Sequence, residues 1–508
     1  MNGLYFTRDA GIPRNPRTAA CSCPRSSALQ RIGTTALLLC TCLAALTMRA
    51  AASDPPPDLV TARMLVEPNA LMGPGPANLT WSPHETLLAY VQPEDGRDTL
   101  WLYDAATGDR RILLDPATHT GKIDLSSAQW SPQGDAILLV GEDALWRLDV
   151  ASGMPQQVIA GGDKTALMFL PAGKSVAFAQ DNDLYTVGLD DGRVQRLTTD
   201  GSETIFNGTL DWVYNEELAT RAAQPAYAWS PDEHWLLYLR IVDDAVQQHP
   251  VTDFRPIPPT VGYTRYPSAG SPNPVVSLHL LDFAADQSPQ AHALPENAEY
   301  ILPFFTWTPD STEVFYVTQT RDHKLLELKA WNAASGSGRT VIRETDPYWV
   351  SEDFFVAPLF LNDGRFLWLS ERDGYMHLYL YSREGELIRQ LTRGEWLIDT
   401  TPWDILVAGK PVYLDPSETW AYYSSTQKSP LERQLYRVNL AGGEPELIAA
   451  EAGFHFASLS GDGQYLVDVF SNIDTYQLFF ATVAILGAIP GRRVQQHRYA
   501  TGHLDSAG

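Results

Sequence analysis

Apolar and polar residues alternate in short runs along this chain, and eight of those runs share one phrase. Each is an apolar strand end, a polar turn of the Ser-Pro-Asp-Gly kind, and a second apolar strand. The copies begin at Leu79, Ala128, Met168, Tyr227, Phe305, Pro358, Val412 and Ala457. The fourth, for example, runs from Tyr227 through Trp229, Ser230, Pro231 and Asp232 to Tyr238. Alternation broken by such a turn predicts a β-hairpin. A second alternating run ending in a glycine turn follows most copies, as from Leu100 to Gly108 and from Leu145 to Gly153, and supplies two more strands. The copies start 40 to 78 residues apart, mostly the period of four-stranded propeller blades. The pattern therefore predicts an all-β chain: an eight-bladed β-propeller of four-stranded antiparallel blades from about Asp58 to Asp474.

Both ends of the chain fall outside that grammar. Residues 1–52 carry six arginines against one acid, Asp9, then an apolar stretch from Ala36 to Leu46 and the small residues Ala50, Ala51 and Ala52. Basic, short apolar and small-residue segments in that order predict an export leader, not a membrane span, which needs ~20 apolar residues. A periplasmic or secreted location is expected. All four cysteines, Cys21, Cys23, Cys40 and Cys42, lie in this leader. A mature chain from Ser53 would then hold no disulfide and no thiolate metal site. The formal charge of −24 would become −29, since the leader contributes six positive charges and one negative. Such an acidic surface disfavours nucleic acid and anionic membranes. At the other end, 475–508 reads as a tail whose apolar run, Leu478 to Ile489, is short for a spanning helix.

Familiar catalytic signatures are missing. No Gly-x-Ser-x-Gly elbow occurs, and the nearest string, Ser335 to Gly338, reads as a flexible blade turn. No His-Glu-x-x-His motif and no phosphate-cradling glycine loop is present, and no metal or cofactor is expected. Asp181 to Asp183 reads as a strand turn and not as a calcium loop. One segment breaks the blade pattern: Asn207 to Thr220, between the third and fourth phrases, has the helix-forming content Glu216, Glu217, Leu218 and Ala219. Two adjacent carboxylates after an aromatic cluster suit a cation such as an α-ammonium, whose ordinary pKa is near ~8. Neighbouring helical positions do not share a face. The two acids therefore converge only on a short, irregular turn. A solvated surface pair is the plain alternative.

Asp211-Trp-Val-Tyr-Asn-Glu-Glu217, Tyr227-Ala-Trp-Ser-Pro-Asp232 and the run from Tyr266 to Pro274 resemble dipeptidyl peptidase IV of the prolyl oligopeptidase family. So do Ser370 to Tyr379 and Leu391 to Trp396, and the resemblance runs in order over roughly residues 75 to 474. It implies an N-terminal eight-bladed propeller joined, in the family, to a C-terminal α/β-hydrolase domain with a Ser-Asp-His triad. By resemblance, Glu216 and Glu217 bind the substrate's free N-terminus, supported by the segment that carries Asp211, Trp212 and Tyr214. Two close carboxylates repel until an ammonium neutralises them. That clamp would fix the amine two residues from the bond cut, typically after proline or alanine.

Two departures from the family stand out. Asn215 occupies the position that would extend the acidic run, and no arginine can be assigned to the backbone clamp that relatives carry after the second phrase. In addition, only residues 475–508 follow Asp474, whereas a domain generally needs ~100 residues. The hydrolase domain is therefore expected to be absent, and no residue here is assigned a catalytic role. The expected function is the substrate-gating, amine-binding propeller of a serine exopeptidase that releases Xaa-Pro or Xaa-Ala dipeptides, truncated and inactive alone. Its partners would be peptides with a free N-terminus, and a homodimer is compatible with the resemblance. A non-catalytic periplasmic scaffold propeller is the rival reading. A quinoprotein dehydrogenase is disfavoured because the mature chain would lack cysteine.

Overall fold

The computed structural model describes residues 76–473 and 484–485, apart from 95, 119–121, 143, 219–224, 284–289, 352–356, 401–409 and 450. The leader and nearly all of the tail lie outside the described residues. Each of the eight phrases is the turn of an antiparallel hairpin, and each hairpin opens a different sheet. The sheets span 77–114, 123–160, 165–196, 205–293, 300–345, 359–390, 412–447 and 454–485, and a separate two-stranded hairpin projects from within the fourth.

Turn chemistry sets the hairpins. In the fourth phrase Ser230 Oγ donates to Asp232 Oδ1 at 2.6 Å and accepts the Trp235 N–H at 2.9 Å. Thr308 with Asp310, and Ser460 with Asp462, repeat the arrangement. A left-handed residue then follows: Gly134, Gly173, Gly364 and Gly463 in four copies, and Glu233, Ser311 and Glu418 in three. A side chain in that conformation costs about 1–2 kcal/mol. All three non-glycine residues use their side chains to accept an N–H from the preceding sheet's turn. Glu233 takes Ala172 at 2.5 Å, Ser311 takes Asp232 at 3.1 Å, and Glu418 takes Asn362 at 2.9 Å.

Three of the four phrase tryptophans join neighbouring sheets by one repeated bond, which Trp229 does not make. Trp130 Nε1 donates to Thr80 O at 3.1 Å and Trp307 Nε1 to Ala228 O at 3.0 Å, each reaching the first strand of the preceding sheet. Trp81 Nε1 donates to Ser458 O at 3.2 Å, so the first sheet is tied to the eighth in the same way. Val467 and Tyr465 pack with Leu88, Tyr90 and Trp101 across that seam. The ring thus closes by packing between the two ends, through aliphatic and aromatic clusters that fill the spaces between sheets.

The expected count of eight four-stranded blades is corrected. Among the described residues seven sheets have four strands or more, and the eighth has three, Phe454–Leu459, Tyr465–Ser471 and Ala484–Ile485. Only Tyr465 and Leu466 find partners on its outer edge, so no complete blade forms there among the described residues.

The fourth sheet departs in the other direction. Ile205–Asn207 and Tyr227–Trp229 both pair with one edge of Trp235–Val242, in line with each other. Leu239 bonds to both sides of the gap, its carbonyl accepting the Gly208 N–H at 2.9 Å and its N–H donating to Ala226 O at 2.9 Å. Ala226 N–H in turn donates to Gly208 O at 3.0 Å, closing the neck. One strand is therefore split, and the described residues 209–218 are extruded from its middle. Gly208 is required at the neck: its φ is +69°, and a Cβ there would lie 2.6 Å from the buried Leu184 side chain.

Candidate functional site

The extruded segment carries the acidic pair. Its residue Tyr214 packs where the strand Tyr300–Trp307 begins, at the end away from that strand's Thr-Pro-Asp turn, so the acidic turn lies toward the face opposite the phrase turns. Trp212 and Val213 begin a helical turn that widens over Tyr214–Leu218 into a π-turn, a form that recurs at functional sites. It is the short, irregular turn that convergence of neighbouring acids needs. Glu216 is half-buried and Glu217 is exposed, so the two carboxylates meet solvent unequally.

Asp211 caps the turn. Its Oδ1 accepts the Tyr214 N–H at 3.0 Å and its carbonyl accepts the Asn215 N–H at 3.0 Å, the pattern that satisfies orphan donors at a helix start. Only 3% of Asp211 is exposed. Burial, reinforced by the nearby charge of Asp243, pushes its carboxyl up to about 6. Tyr214 anchors the floor: it is fully buried, and its hydroxyl accepts the Ile301 N–H of the fifth sheet at 3.2 Å. Burial pushes its phenol far above the ordinary tyrosine value.

Trp212 faces outward and meets Tyr266 edge-on, with ring centroids 5.0 Å apart. Tyr266 follows the projecting hairpin of Gln248–Asp253 and Thr260–Arg265, which leaves the fourth sheet on the same face because it continues from the far end of Trp235–Val242. Arg265 Nε lies 3.4 Å from Asp243 Oδ1, and its Nη1 donates to Val246 O at 3.1 Å. From the other side, Tyr214 is edge-on to Tyr300 at 6.5 Å, and Asn273 Nδ2 donates to the Tyr300 hydroxyl at 2.8 Å. Both ends of the 266–274 string therefore meet the 211–217 string, one directly and one through Tyr300. The 370–379 and 391–396 strings also join: buried His377 bonds Thr392 Oγ1 at 3.1 Å and Gly394 O at 3.0 Å and abuts Trp396.

The sequence reading missed Asp243, Arg265 and the hairpin between them. Their only signal was the 78-residue gap after the fourth phrase, which is longer than one blade requires.

The family model described as the dipeptidyl peptidase IV (DPP IV) N-terminal region matches residues 163–476, more than half of the chain. The chain belongs to this family. The match takes in the split strand, the acidic turn and the projecting hairpin. A probable dipeptidyl-aminopeptidase B of Aspergillus oryzae is 26% identical over 451 residues, covering 76% of this chain and 49% of the relative. A dipeptidyl peptidase 4 of Trichophyton rubrum is 27% identical over 431 residues, covering 76% and 52%. The crystal structure of Porphyromonas gingivalis dipeptidyl peptidase 4 superposes with a TM-score of 0.69 at 25% identity, covering 81% of this chain and 58% of that one. The chain spans about half the length of the curated relatives it matches.

Proposed function

We propose that this DPP IV-type propeller is the substrate-gating part of a serine exopeptidase that removes Xaa-Pro or Xaa-Ala dipeptides from peptide N-termini. Glu216 and Glu217 receive the free α-ammonium. The observation that carries this reading is the placement of the pair: a widened turn extruded from a split strand, held by Asp211, Tyr214 and Trp212 on one face of the propeller. The extrusion interrupts its own strand and is held by a dedicated cap and by Tyr214 and Leu218, which join the core cluster that includes Leu237, Leu239 and Ile241.

A clamp on the amine measures the substrate. With consecutive Cα atoms 3.80 Å apart, holding the first residue fixes the bond after the second to within a few ångströms. The clamp thereby confers a dipeptide register and positions the reacting carbonyl. We further propose that the protein is exported, and that the exposed apolar residues of the hairpin, Val251, Phe254, Ile257, Val261 and Tyr263, contact a second copy of the chain.

The test is calorimetric titration of the protein with a Xaa-Pro dipeptide, beside the Glu216→Gln/Glu217→Gln double variant. Loss of at least tenfold in affinity, ~1.4 kcal/mol, is expected in the variant. Equal binding by both proteins would overturn the assignment.

A further inference from the structure

The eighth sheet holds a buried ionisable pair that the peptide site does not use. His455, on Phe454–Leu459, is 2% exposed, and Asp468, on Tyr465–Ser471, is 6% exposed. His455 Nδ1 lies 2.7 Å from Asp468 Oδ2, and its Nε2 lies 3.0 Å from the carbonyl oxygen of Glu451. A carboxylate and a carbonyl both accept, so each ring nitrogen faces an acceptor. A neutral imidazole has one N–H and can satisfy only one of them; the imidazolium satisfies both.

His455 also sits on the seam with the seventh sheet. Its N–H donates to Arg433 O at 2.9 Å, its carbonyl accepts Ser424 Oγ at 3.0 Å, and Arg433 N–H donates to Gly453 O at 2.9 Å. The charged groups around the ring are Asp468 on its own sheet, Glu451 in the loop that leads into that sheet, and Arg433, which precedes the seventh sheet's strand Gln434–Asn439. The Arg433 guanidinium is engaged by Asp399 and lies over the Phe454 ring at 5.4 Å.

We propose that His455 and Asp468 form a proton-held latch, a buried imidazolium–carboxylate pair that fastens the two long strands of the eighth sheet to each other and loosens them as pH rises. Burial alone would lower the imidazole pKa, but the hydrogen bond and charge of Asp468 outweigh it, so the ring titrates above the ordinary histidine value. Asp468 is itself raised by burial, against the pull of its partner. The His455 direction follows from the two acceptors that its ring nitrogens face. A raised histidine pKa contributes stability that is complete below the unfolded value of ~6.5 and is lost as pH climbs through the folded value. The eighth sheet is where this matters most, because its third strand is two residues long and local opening follows the weakest unit.

The test is hydrogen–deuterium exchange of the full chain from pH 6 to pH 9, corrected for the intrinsic exchange rate. The readout is the protection of residues 454–471 divided by that of Trp235–Val242 in the fourth sheet. A fall of at least tenfold is expected for the native chain. In Asp468→Asn the ratio is expected to stay flat, because a carboxamide can donate to Nδ1 of a neutral ring while Nε2–H keeps the Glu451 carbonyl. If that variant does not fold, His455→Gln, which has no titrating ring, serves in its place with the same expectation. A flat ratio in the native chain, or an undiminished fall in the variant that is measured, would overturn the latch.

Discussion

Replacing Asp211 with asparagine separates the two things this residue does. The carboxyl caps the acidic turn by accepting the Tyr214 N–H at 3.0 Å, and an asparagine amide oxygen caps equally well. The carboxyl also has to carry a charge at 3% exposure beside Asp243, which is itself buried and raised. Its folded pKa of about 6 stands roughly two units above the ~3.9 of an unfolded aspartate. Between those values the folded protein binds more protons than the unfolded one, so stability falls as pH rises. The penalty is complete above about pH 6 and amounts to about 3 kcal/mol at ~1.4 kcal/mol per unit. Asp211→Asn removes it. We expect the variant to gain about 1–3 kcal/mol at pH 7.5 in urea titrations followed by tryptophan fluorescence, and almost nothing at pH 4. A variant less stable than the native chain at pH 7.5 would refute the reasoning, as would a gain of equal size at both pH values.

Three further substitutions probe the frame that holds the site. Gly208→Ala places a Cβ 2.6 Å from Leu184 at a φ of +69° and should cost about 2–4 kcal/mol by strain and overpacking, measured by urea titration. Tyr214→Phe leaves the buried Ile301 N–H without its 3.2 Å acceptor and should cost about 1–3 kcal/mol. Limited proteolysis should then cut the segment around 209–225 sooner than in the native chain. Trp81→Phe deletes the 3.2 Å bond across the first–eighth seam; an accompanying rise in exchange confined to 77–94 and 454–471 is expected, with the fourth sheet unchanged.

Much of the frame could be read in the sequence because its determinants are local. In the fourth and fifth phrases a Ser or Thr, a Pro, an Asp and then a left-handed residue dictate a tight turn, and all eight phrases, each keeping part of that string, became hairpins. The phrase tryptophan was equally visible, although nothing local shows that its indole reaches the sheet before it. The eighth sheet was over-read because its outer edge depends on pairing to Ala484 and Ile485, which no turn motif announces. At the site, the acidic pair and its aromatic neighbours were legible as a break in blade grammar. The split strand was not: Ile205–Asn207 is three residues long, and its continuation lies beyond the extrusion at Tyr227–Trp229. Asp243 and Arg265 were equally silent, since an acid and an arginine some twenty residues apart carry no pattern until a hairpin brings them together.

The central claim is that the pair on the widened turn binds an ammonium. Its most direct test compares two ligands on the unaltered protein: a Xaa-Pro dipeptide and the same dipeptide N-acetylated, titrated from pH 6 to pH 9. The account predicts that the free amine binds, that its affinity falls as pH rises through the amine's pKa near ~8, and that the acetylated form does not bind. Equal affinity for the two ligands, or binding indifferent to pH across that range, would contradict it.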